Sequence, residues 1–228
     1  MSSSSTYSVV GRNAHRIDGI EKVTGKAVYT GDINLPGMAY AKILRSPVAH
    51  ARLVRIDGSK AAQLGGVVTV LTRDDIREFN YLYGATYKDQ SIVAVDKVRY
   101  VGDPVAAVLA DTPEIAEAAL NLIEVEYDEL PMVVGIEEAT AEGAPLVHEG
   151  DVSRAELRGS TYGAPERFKG TNVCYYFGYE RGNVDEAFKT SDFVFEDTFR
   201  FHKVQHYSLE PHTNIAHWDG EKFTIWSS

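Results

Sequence analysis

Histidines are concentrated near the C-terminal end of the sequence, where they could ligate a metal. His202, His206, His212 and His217 fall close together, with Glu210 among them. Imidazole and carboxylate groups are ligands of zinc and iron. Alternation along a strand places His202 and His206 on one face, but a proline precedes His212 and the helical H-E-x-x-H spacing is absent. Two interpretations stay open: a small metallohydrolase site using His202, His206 and His212, or hydrogen-bonded and solvated histidines.

Other short patterns of common catalytic sites are missing from the sequence. It has no G-x-S-x-G nucleophile elbow, no G-x-x-x-x-G-K phosphate loop and no G-x-G-x-x-G fingerprint. Two acidic pairs, Glu124 with Glu126 and Glu137 with Glu138, occupy positions where a strand edge or loop would place charge. We expect these carboxylates to be solvated rather than to form a catalytic acid–base pair.

Composition limits the class of protein. An apolar fraction of 44% and a charged fraction of 25% are typical of a globular chain, and no apolar run has the length of a membrane-spanning helix. The net charge of -10 argues against nucleic-acid binding, which needs clustered Lys and Arg. Residues 1–16 lack the basic and apolar regions of a secretory signal, so we expect a disordered polar lead and a cytoplasmic location.

Cys174 is the one cysteine of the sequence. It therefore excludes an intramolecular disulfide and any Cys-based iron–sulfur or zinc site within this chain. Its neighbours are valine, tyrosine and phenylalanine, which favours a buried structural thiol over a reactive one.

Residues 17–137 are predicted to form one unit of strands and helices. The apolar run 105–110 is typical of a strand covered on both faces. Thr112 can cap a following helix that starts with a proline and buries alanines at helical spacing, and residues 123–128 alternate as a half-buried strand. Earlier, residues 39–44 and 67–71 indicate strands, and Ser59 and Thr72 indicate the caps of short helices.

The remaining sequence divides into a turn-rich segment and a second unit. Residues 138–171 have poor periodicity and are predicted to be a linker or wrapping segment, and residues 172–228 form the second unit. Asn183 can cap a short helix there, and phenylalanines at 193, 195, 199 and 201 lie on one face of a predicted long strand. The natural partner for that aromatic face is a hairpin around Asp219-Gly220, whose second strand ends at the last residues. We expect missing residues or another polypeptide to complete this sheet, because a lone hairpin is marginal in water.

Several segments, in order, resemble the molybdenum-cofactor subunit of the xanthine dehydrogenase/aldehyde oxidase family. They are RIDG at 16–19, KVTGKAVYTGD at 22–32, LRSPVAHA at 44–51, KVRYVGDPVAAV at 97–108, IEVEYDELP at 123–131, GNVDEAF at 182–188 and LEPH at 209–212. The resemblance implies an α+β fold: an α/β hammerhead domain, here residues 17–137, followed at 172–228 by the first strands of a mixed α/β cofactor-binding domain. Within the motifs, Gly25, Gly31, Gly102 and Pro104 are expected to form turns.

The family's chemistry is the hydroxylation of aldehydes or aromatic heterocycles with water as the oxygen source. Its cofactor is molybdenum on a molybdopterin dinucleotide, and electrons leave through [2Fe–2S] clusters, often to FAD. The implied partners are therefore the remaining molybdopterin-binding polypeptide, a [2Fe–2S] subunit, an FAD subunit in many members, and a small-molecule substrate.

No catalytic, cofactor-binding or metal-binding residue is assigned in this sequence. Family contacts with the cofactor include a Gln just after a Trp-Ser-Ser-type strand, a G-G-F-G segment and a Glu base near the C-terminus, and none of these positions lies within the 228 residues. The resemblance thus implies a scaffold, a wall of the substrate channel and a docking surface within a molybdenum hydroxylase. A non-catalytic binding or assembly module with the same fold is the alternative, since fold alone does not fix function.

Overall fold

The computed structural model describes residues 10–11, 13, 15–79, 82–84, 87–149, 153–154, 170–173, 179 and 181–228. Residue contacts divide the chain into two compact units, one spanning Met38–Val194 and one combining Met1–Gly37 with Phe195–Ser228. Cys174 and most of the predicted lead at 1–16 lie outside the described residues. Among the helices described, none is both long and apolar enough to cross a bilayer.

Short elements make up both units. The strands of the described residues are β1 (Tyr40–Arg45), β2 (Ala51–Asp57), β3 (Val67–Leu71), β4 (Leu82–Tyr83), β5 (Tyr87–Lys88), β6 (Gln90–Ser91), β7 (Lys97–Val98), β8 (Pro104–Ala110), β9 (Glu124–Glu129), β10 (Ser153–Arg154), β11 (Asn214–Trp218) and β12 (Phe223–Ser227). The α-helices are α1 (Gly19–Val23), α2 (Ser59–Ala62), α3 (Arg73–Ile76), α4 (Pro113–Leu120), α5 (Ile136–Thr140) and α6 (Val184–Thr190), and a 3-10 helix spans Thr30–Asp32.

Two antiparallel three-stranded sheets form the frame of the unit Met38–Val194. Their strand orders are β1-β8-β3 and β7-β2-β9. β8 is the central strand of the first sheet, and its Val105, Ala106, Val108 and Ala110 are buried. The predicted strand with two covered faces is therefore confirmed, and its neighbours run antiparallel to it.

Helix α4 covers the first sheet and leads into the second. Thr112 caps it as predicted: its hydroxyl accepts a hydrogen bond of 3.3 Å from the amide of Ile115. Ala116 and Ala119 are fully buried, and their small side chains let the helix pack closely on β1 and β8. The predicted succession of strand, capped helix and strand is confirmed, but β8 and β9 belong to different sheets.

Two adjoining hydrophobic clusters hold the sheets together. The larger lies between the first sheet and the helices and consists of Ala61, Ala106, Val108, Ala110, Ala116, Ala119 and Ile123. The smaller lies on the second sheet and consists of Ala51, Leu53, Ala94, Val98 and Val105. Ile56 and Val125 pack against both clusters, so the two sheets share one continuous core.

Of the two caps predicted for the short helices, Ser59 and Thr72, one is confirmed and one is not. Ser59 is the first residue of α2 rather than its cap, because the carboxylate of Asp57 accepts the Ser59 amide at 2.9 Å. At α3 the predicted cap is confirmed, since Thr72 and Asp75 exchange capping-box hydrogen bonds. Gly102 turns the chain between β7 and β8 with a φ of 95°, whereas Pro104 is the first residue of β8.

The hairpin around Asp219-Gly220 has the predicted position. β11 pairs with β12 in the register Trp218↔Phe223 to Asn214↔Ser227. The Asp219 carboxylate fixes the turn by accepting hydrogen bonds from the amides of Glu221 and Lys222, at 2.9 Å and 2.7 Å.

The long aromatic strand predicted over residues 193–201 is not observed. No regular element occurs from 192 to 213 within the described part of the chain, and Phe193, Phe195, Phe199 and Phe201 are exposed. The physical reason is that a strand needs backbone partners, and the sheet formed by β11 and β12 contains just these two strands among the described residues. Alternation of aromatic residues by itself supplies no such partner.

Candidate functional site

Hydrogen bonds join three of the family-like sequence motifs where β1 and β9 end and where β2 and β8 begin. The amide of Ser46 donates to the carbonyl of Asp103 at 2.9 Å, and the amide of Gly102 donates to the carbonyl of Ser46 at 2.8 Å. The buried Ser46 hydroxyl also donates to the carbonyl of Val48 at 2.8 Å. These contacts join the LRSPVAHA segment to the KVRYVGDP segment.

His50 connects the LRSPVAHA segment to the third motif, IEVEYDELP. Its Nδ1 lies 2.7 Å from the carbonyl of Pro131, and its own carbonyl accepts the amide of Leu130 at 2.8 Å. The imidazole is 7% exposed and its Nε2 has no hydrogen-bond partner. A residue this enclosed holds the loop after β9 in place and has no open surface on which to meet a substrate.

A polar cleft opens beside this junction. It has a volume of about 440 Å³ and is lined by Ile76, Arg77, Leu82, Lys88, Asp89, Ser91, Val95, Asp96, Arg99, His148 and Glu149. A smaller cleft of about 190 Å³ adjoins it and is lined by Tyr83, Asp89, Gln90, Ser91, Ala94, Arg99, Tyr100, Asp103, Val147 and His148. Asp89, Ser91, Arg99 and His148 line both, so they form the wall between the two.

One side of the clefts is formed by residues 145–149, which we term the strap; it has no helix or strand and contributes Val147, His148 and Glu149 to the linings. Lys97 donates from Nζ to the carbonyl of Leu146 at 3.2 Å and lies 3.4 Å from the carboxylate of Glu149. Arg99 donates from Nε to the carbonyl of Val147 at 3.1 Å. Covered in this way, Lys97 is 4% exposed.

Asn172 fastens the other side of the strap. Its Oδ1 accepts the amide of Val147 at 2.9 Å, and its Nδ2 donates to the carbonyls of Pro145 at 2.9 Å and Ala139 at 3.1 Å. One amide side chain thus ties the strap to the C-terminal end of helix α5 (residues 136–140). The strap is positioned by side chains on both flanks.

The linings of the two clefts carry perturbed titratable groups. Burial, followed by the positive charge of Arg99, lowers the pKa of the His148 imidazole, against the attraction of the Asp89 carboxylate 3.6 Å away. Burial raises the pKa of Asp103, although this carboxylate accepts a 2.9 Å hydrogen bond from the amide of Arg99. Burial also raises the pKa of Tyr100. Such groups in a cleft are features of functional sites and also of structural ion networks.

The histidines singled out by the sequence are not brought together. His202, His206 and His212 lie in the exposed segment before the hairpin, and His217 lies on β11. Across the described residues, no three His, Cys, Asp or Glu side chains are grouped closely enough to hold a metal ion. Glu210 is exposed in the same segment.

The acidic pairs have the predicted environment. Glu124 and Glu126 are exposed on β9, and Glu124 forms an ion pair with Lys60. Glu137 and Glu138 lie in the first turn of α5 on its exposed surface. The predicted exposure of these carboxylates is therefore confirmed.

The described residues do not form an enclosed cradle for a pterin dinucleotide. Such ligands are buried in concave, largely preformed sites. From Arg181 to Ser228 every described residue is exposed or half-exposed, and the linings of both clefts come from residues 76–149. These residues therefore do not fit the cofactor by themselves.

Sequence patterns missed the groups around the clefts. Arg99 and Asp103 lie in the KVRYVGDP motif, but the cleft that they line with Asp89 forms only where residues 83–103 meet residues 147–148. His148 and Asn172 lie in or next to the poorly periodic segment 138–171, where periodicity gives no signal. The available signal for His148 and Asn172 was that these polar residues are flanked by turn-forming residues.

Two family models match the chain in order. Residues 24–131 match "Aldehyde oxidase and xanthine dehydrogenase, a/b hammerhead domain", and residues 167–228 match "Molybdopterin cofactor-binding domain". The predicted α+β fold, with a hammerhead domain and the start of a cofactor-binding domain, is confirmed.

Curated relatives extend the similarity over nearly the whole chain. The nicotinate dehydrogenase large molybdopterin subunit of Eubacterium barkeri is 37% identical over 215 residues, which are 94% of this chain and 46% of that protein. A probable xanthine dehydrogenase subunit of Bacillus subtilis is 38% identical over 201 residues, which are 88% of this chain and 24% of that protein. The chain thus spans a quarter to a half of the length of these relatives.

A solved structure agrees with the fold. The Cu,Mo-containing CO dehydrogenase, in its carbon monoxide reduced state, aligns with a TM-score of 0.79 and 30% identity over 95% of this chain and 27% of that chain. The two family models, which match in order along the chain, the related sequences and the shared fold all support the same assignment. The chain belongs to the xanthine dehydrogenase/aldehyde oxidase family and corresponds to the N-terminal part of its molybdopterin-binding large subunit.

Proposed function

We propose that the chain forms part of a molybdenum hydroxylase that hydroxylates an aldehyde or an aromatic heterocycle with oxygen from water. The observation that carries this proposal is the match of both family models, in order, on a chain whose fold aligns over 95% of its length with CO dehydrogenase. The relatives are named as subunits that act on nicotinate or xanthine. When bound, the molybdenum cofactor supplies the redox and oxygen-transfer chemistry.

The role proposed for this chain is that of scaffold, channel wall and docking surface. Ser46, His50 and Gly102 hold strands to each other, and His50 is enclosed. The proposed cofactor ligands lie mostly outside the chain, because residues 181–228 offer no enclosed site. The domain bounds 17–137, 138–171 and 172–228 are part of this proposal.

The proposed partners are the remaining molybdopterin-binding polypeptide, a [2Fe–2S] subunit and an FAD subunit, with a small molecule as substrate. Both relatives named above carry the word "subunit" in their names, which supports a multi-subunit complex. We also propose a cytoplasmic location for the chain. Cell fractionation with antibody detection of the chain tests the location.

Affinity purification with elemental analysis tests the function. The tagged 228-residue chain, purified from its native cells, should bring a polypeptide with a G-G-F-G segment, a two-cluster iron–sulfur protein and molybdenum. The same chain purified from a host without those partners should contain no molybdenum. Stoichiometric molybdenum in the chain alone would contradict the proposal that the cofactor ligands lie elsewhere.

The same purification distinguishes the alternative of a binding or assembly module. Such a module would be recovered without an iron–sulfur protein and without molybdenum in either host. The other alternative, a small metallohydrolase, gains no geometric support, because the described histidines do not group. Zinc or iron retained by the wild-type chain and lost from a His206→Ala variant would favour it.

A further inference from the structure

The larger of the two clefts combines apolar side chains with cationic ones. Ile76 is almost fully buried, and it lines the cleft together with Leu82 and Val95. The exposed side chains of Arg77 and Lys88 line the same cleft. Its volume of about 440 Å³ lies within the range of small-molecule sites, which join apolar surface to a few polar groups.

Two cationic side chains of this lining are unpaired, and a third is held in place. Neither Arg77 nor Lys88 forms an ion pair or a side-chain hydrogen bond within the described part of the chain. Arg99 donates from Nε to the carbonyl of Val147 at 3.1 Å and from Nη1 to the carbonyl of Lys97 at 3.4 Å. These two bonds fix the guanidinium and leave its Nη2 without a partner among the described residues. The cleft therefore offers an anion one fixed donor group and two flexible ones.

The carboxylates of the lining do not neutralise these cations. Asp89 lies 3.6 Å from the imidazole of His148, and Glu149 lies 3.4 Å from the buried ammonium group of Lys97. The carboxylate of Asp96 has neither an ion pair nor a hydrogen bond to any described residue. The unpaired cationic groups thus outnumber the one unpaired carboxylate.

The balance of charge around the larger cleft is the reverse of that of the whole chain. Arg73 adds a positive charge beside the lining, since its guanidinium donates to the carbonyl of Val95 at 3.4 Å. With Arg73 and Lys97 included, five cations of the described residues meet the three lining carboxylates, although the net charge of the chain is -10. A positive cleft in an acidic protein favours a negatively charged ligand.

We propose that the larger cleft binds a small organic carboxylate. The apolar body of this ligand contacts the three apolar side chains of the lining, and its carboxylate accepts hydrogen bonds from Arg77, Lys88 and Nη2 of Arg99. Guanidinium groups suit such a ligand, because their planar array of N–H donors matches the two carboxylate oxygens. An inorganic anion leaves the apolar surface uncovered, and an uncharged ring leaves the cations unpaired.

Titration of the full 228-residue chain with benzoate, followed through the NMR amide signals of the lining residues, tests the proposal. Benzoate carries both an apolar ring and a carboxylate. Benzamide keeps the ring without the charge, and inorganic phosphate keeps a charge without the ring. A single exposed ion contact changes an affinity by about twofold to fivefold, so we expect benzoate to bind at least about twofold more tightly than either. Added sodium chloride should weaken its binding.

Variants of single charges show which groups meet the carboxylate. Arg77→Gln and Lys88→Gln change exposed side chains, so the fold is retained, and each should weaken benzoate binding by about twofold to fivefold. Asp96→Asn removes the unpaired carboxylate and should strengthen binding by a similar factor. Lys222→Gln is the matched control, because this exposed lysine lies on the hairpin turn of the other unit, and it should leave the affinity unchanged.

Three results would overturn the proposal. The first is that benzoate does not shift the amide signals of the lining, or binds no more tightly than benzamide. The second is an unchanged affinity for benzoate in both Arg77→Gln and Lys88→Gln. The third is that phosphate binds as tightly as benzoate, which would assign a site for simple anions instead. The titration needs no molybdenum, so its failure would leave the proposed function standing.

Discussion

Replacing Asn172 by alanine is the sharpest test of how the strap is held. The substitution removes three hydrogen bonds at once: one accepted from the Val147 amide at 2.9 Å and two donated to the carbonyls of Pro145 and Ala139 at 2.9 Å and 3.1 Å. Each such bond contributes about 0.5–1.5 kcal/mol net, and these are partly buried. We therefore expect Asn172→Ala to lower the free energy of unfolding by about 2–3 kcal/mol.

Asn121→Ala is the matched control, because it makes the same chemical change at an exposed position. The Asn121 side chain donates one hydrogen bond of 3.2 Å, to the carbonyl of Glu117. Its replacement should change stability by less than about 0.5 kcal/mol.

Urea unfolding followed by circular dichroism measures both variants. Tryptophan fluorescence would not report on the strap, because Trp218 and Trp226 both lie on the hairpin of the other unit. Equal losses for Asn172→Ala and Asn121→Ala would refute the reasoning that Asn172 clamps the strap.

Two further predictions concern a pair of glycines and one buried carboxyl group. In the same urea assay, Gly66→Ala should destabilise the protein more than Gly102→Ala. Both glycines have a positive φ, 87° at Gly66 and 95° at Gly102. A Cβ at Gly66 would lie 2.7 Å from Cδ1 of Ile115, whereas the space at Gly102 is open. We expect about 1–2 kcal/mol at both glycines from backbone strain and a further ~0.5–1.5 kcal/mol at Gly66, because the terminal methyl of Ile115 must leave its preferred rotamer; equal losses would show that this methyl moves without cost. Burial raises the pKa of the Asp103 carboxyl group, so on acidification the folded state binds its proton at a higher pH than the unfolded state does. Relative to Asp103→Asn, the wild type should therefore gain stability as the pH falls from that raised pKa towards about 3.8. Urea midpoints of both proteins at several acidic pH values measure this gain, and a relative loss over the same interval would reverse the assigned sign.

Local elements of this protein could be predicted from local sequence. The caps at Thr112, Thr72 and Asn183 were confirmed because a cap depends on residues within one helical turn. The hairpin at Asp219-Gly220 was confirmed for the same reason, since the Asp219 side chain accepts hydrogen bonds from amides within the turn. The central strand β8 was predicted because burial on both faces removes polar residues from the sequence.

Two predictions failed because the sequence pattern does not specify the partner that decides the outcome. The aromatic segment at 193–201 alternates like a strand, but no strand pairs with it among the described residues. Ser59 resembles a cap, but Gly58 occupies the cap position and the Asp57 carboxylate accepts the Ser59 amide. In both cases the pattern is present in the sequence. A competing hydrogen bond decided the outcome at Ser59, and the lack of a pairing strand decided it at 193–201.

By itself, the sequence determined the family, the α+β class and the positions of most elements, because each depends on short segments that keep their meaning in isolation. The tertiary structure alone decided that β8 and β9 enter different sheets and that Ser46, His50 and Gly102 lock the motifs together. It also decided that Asp89 and His148, far apart in the chain, share one wall. Their charges interact only once the strap is folded against β7, since burial and proximity, rather than residue type, shift a pKa.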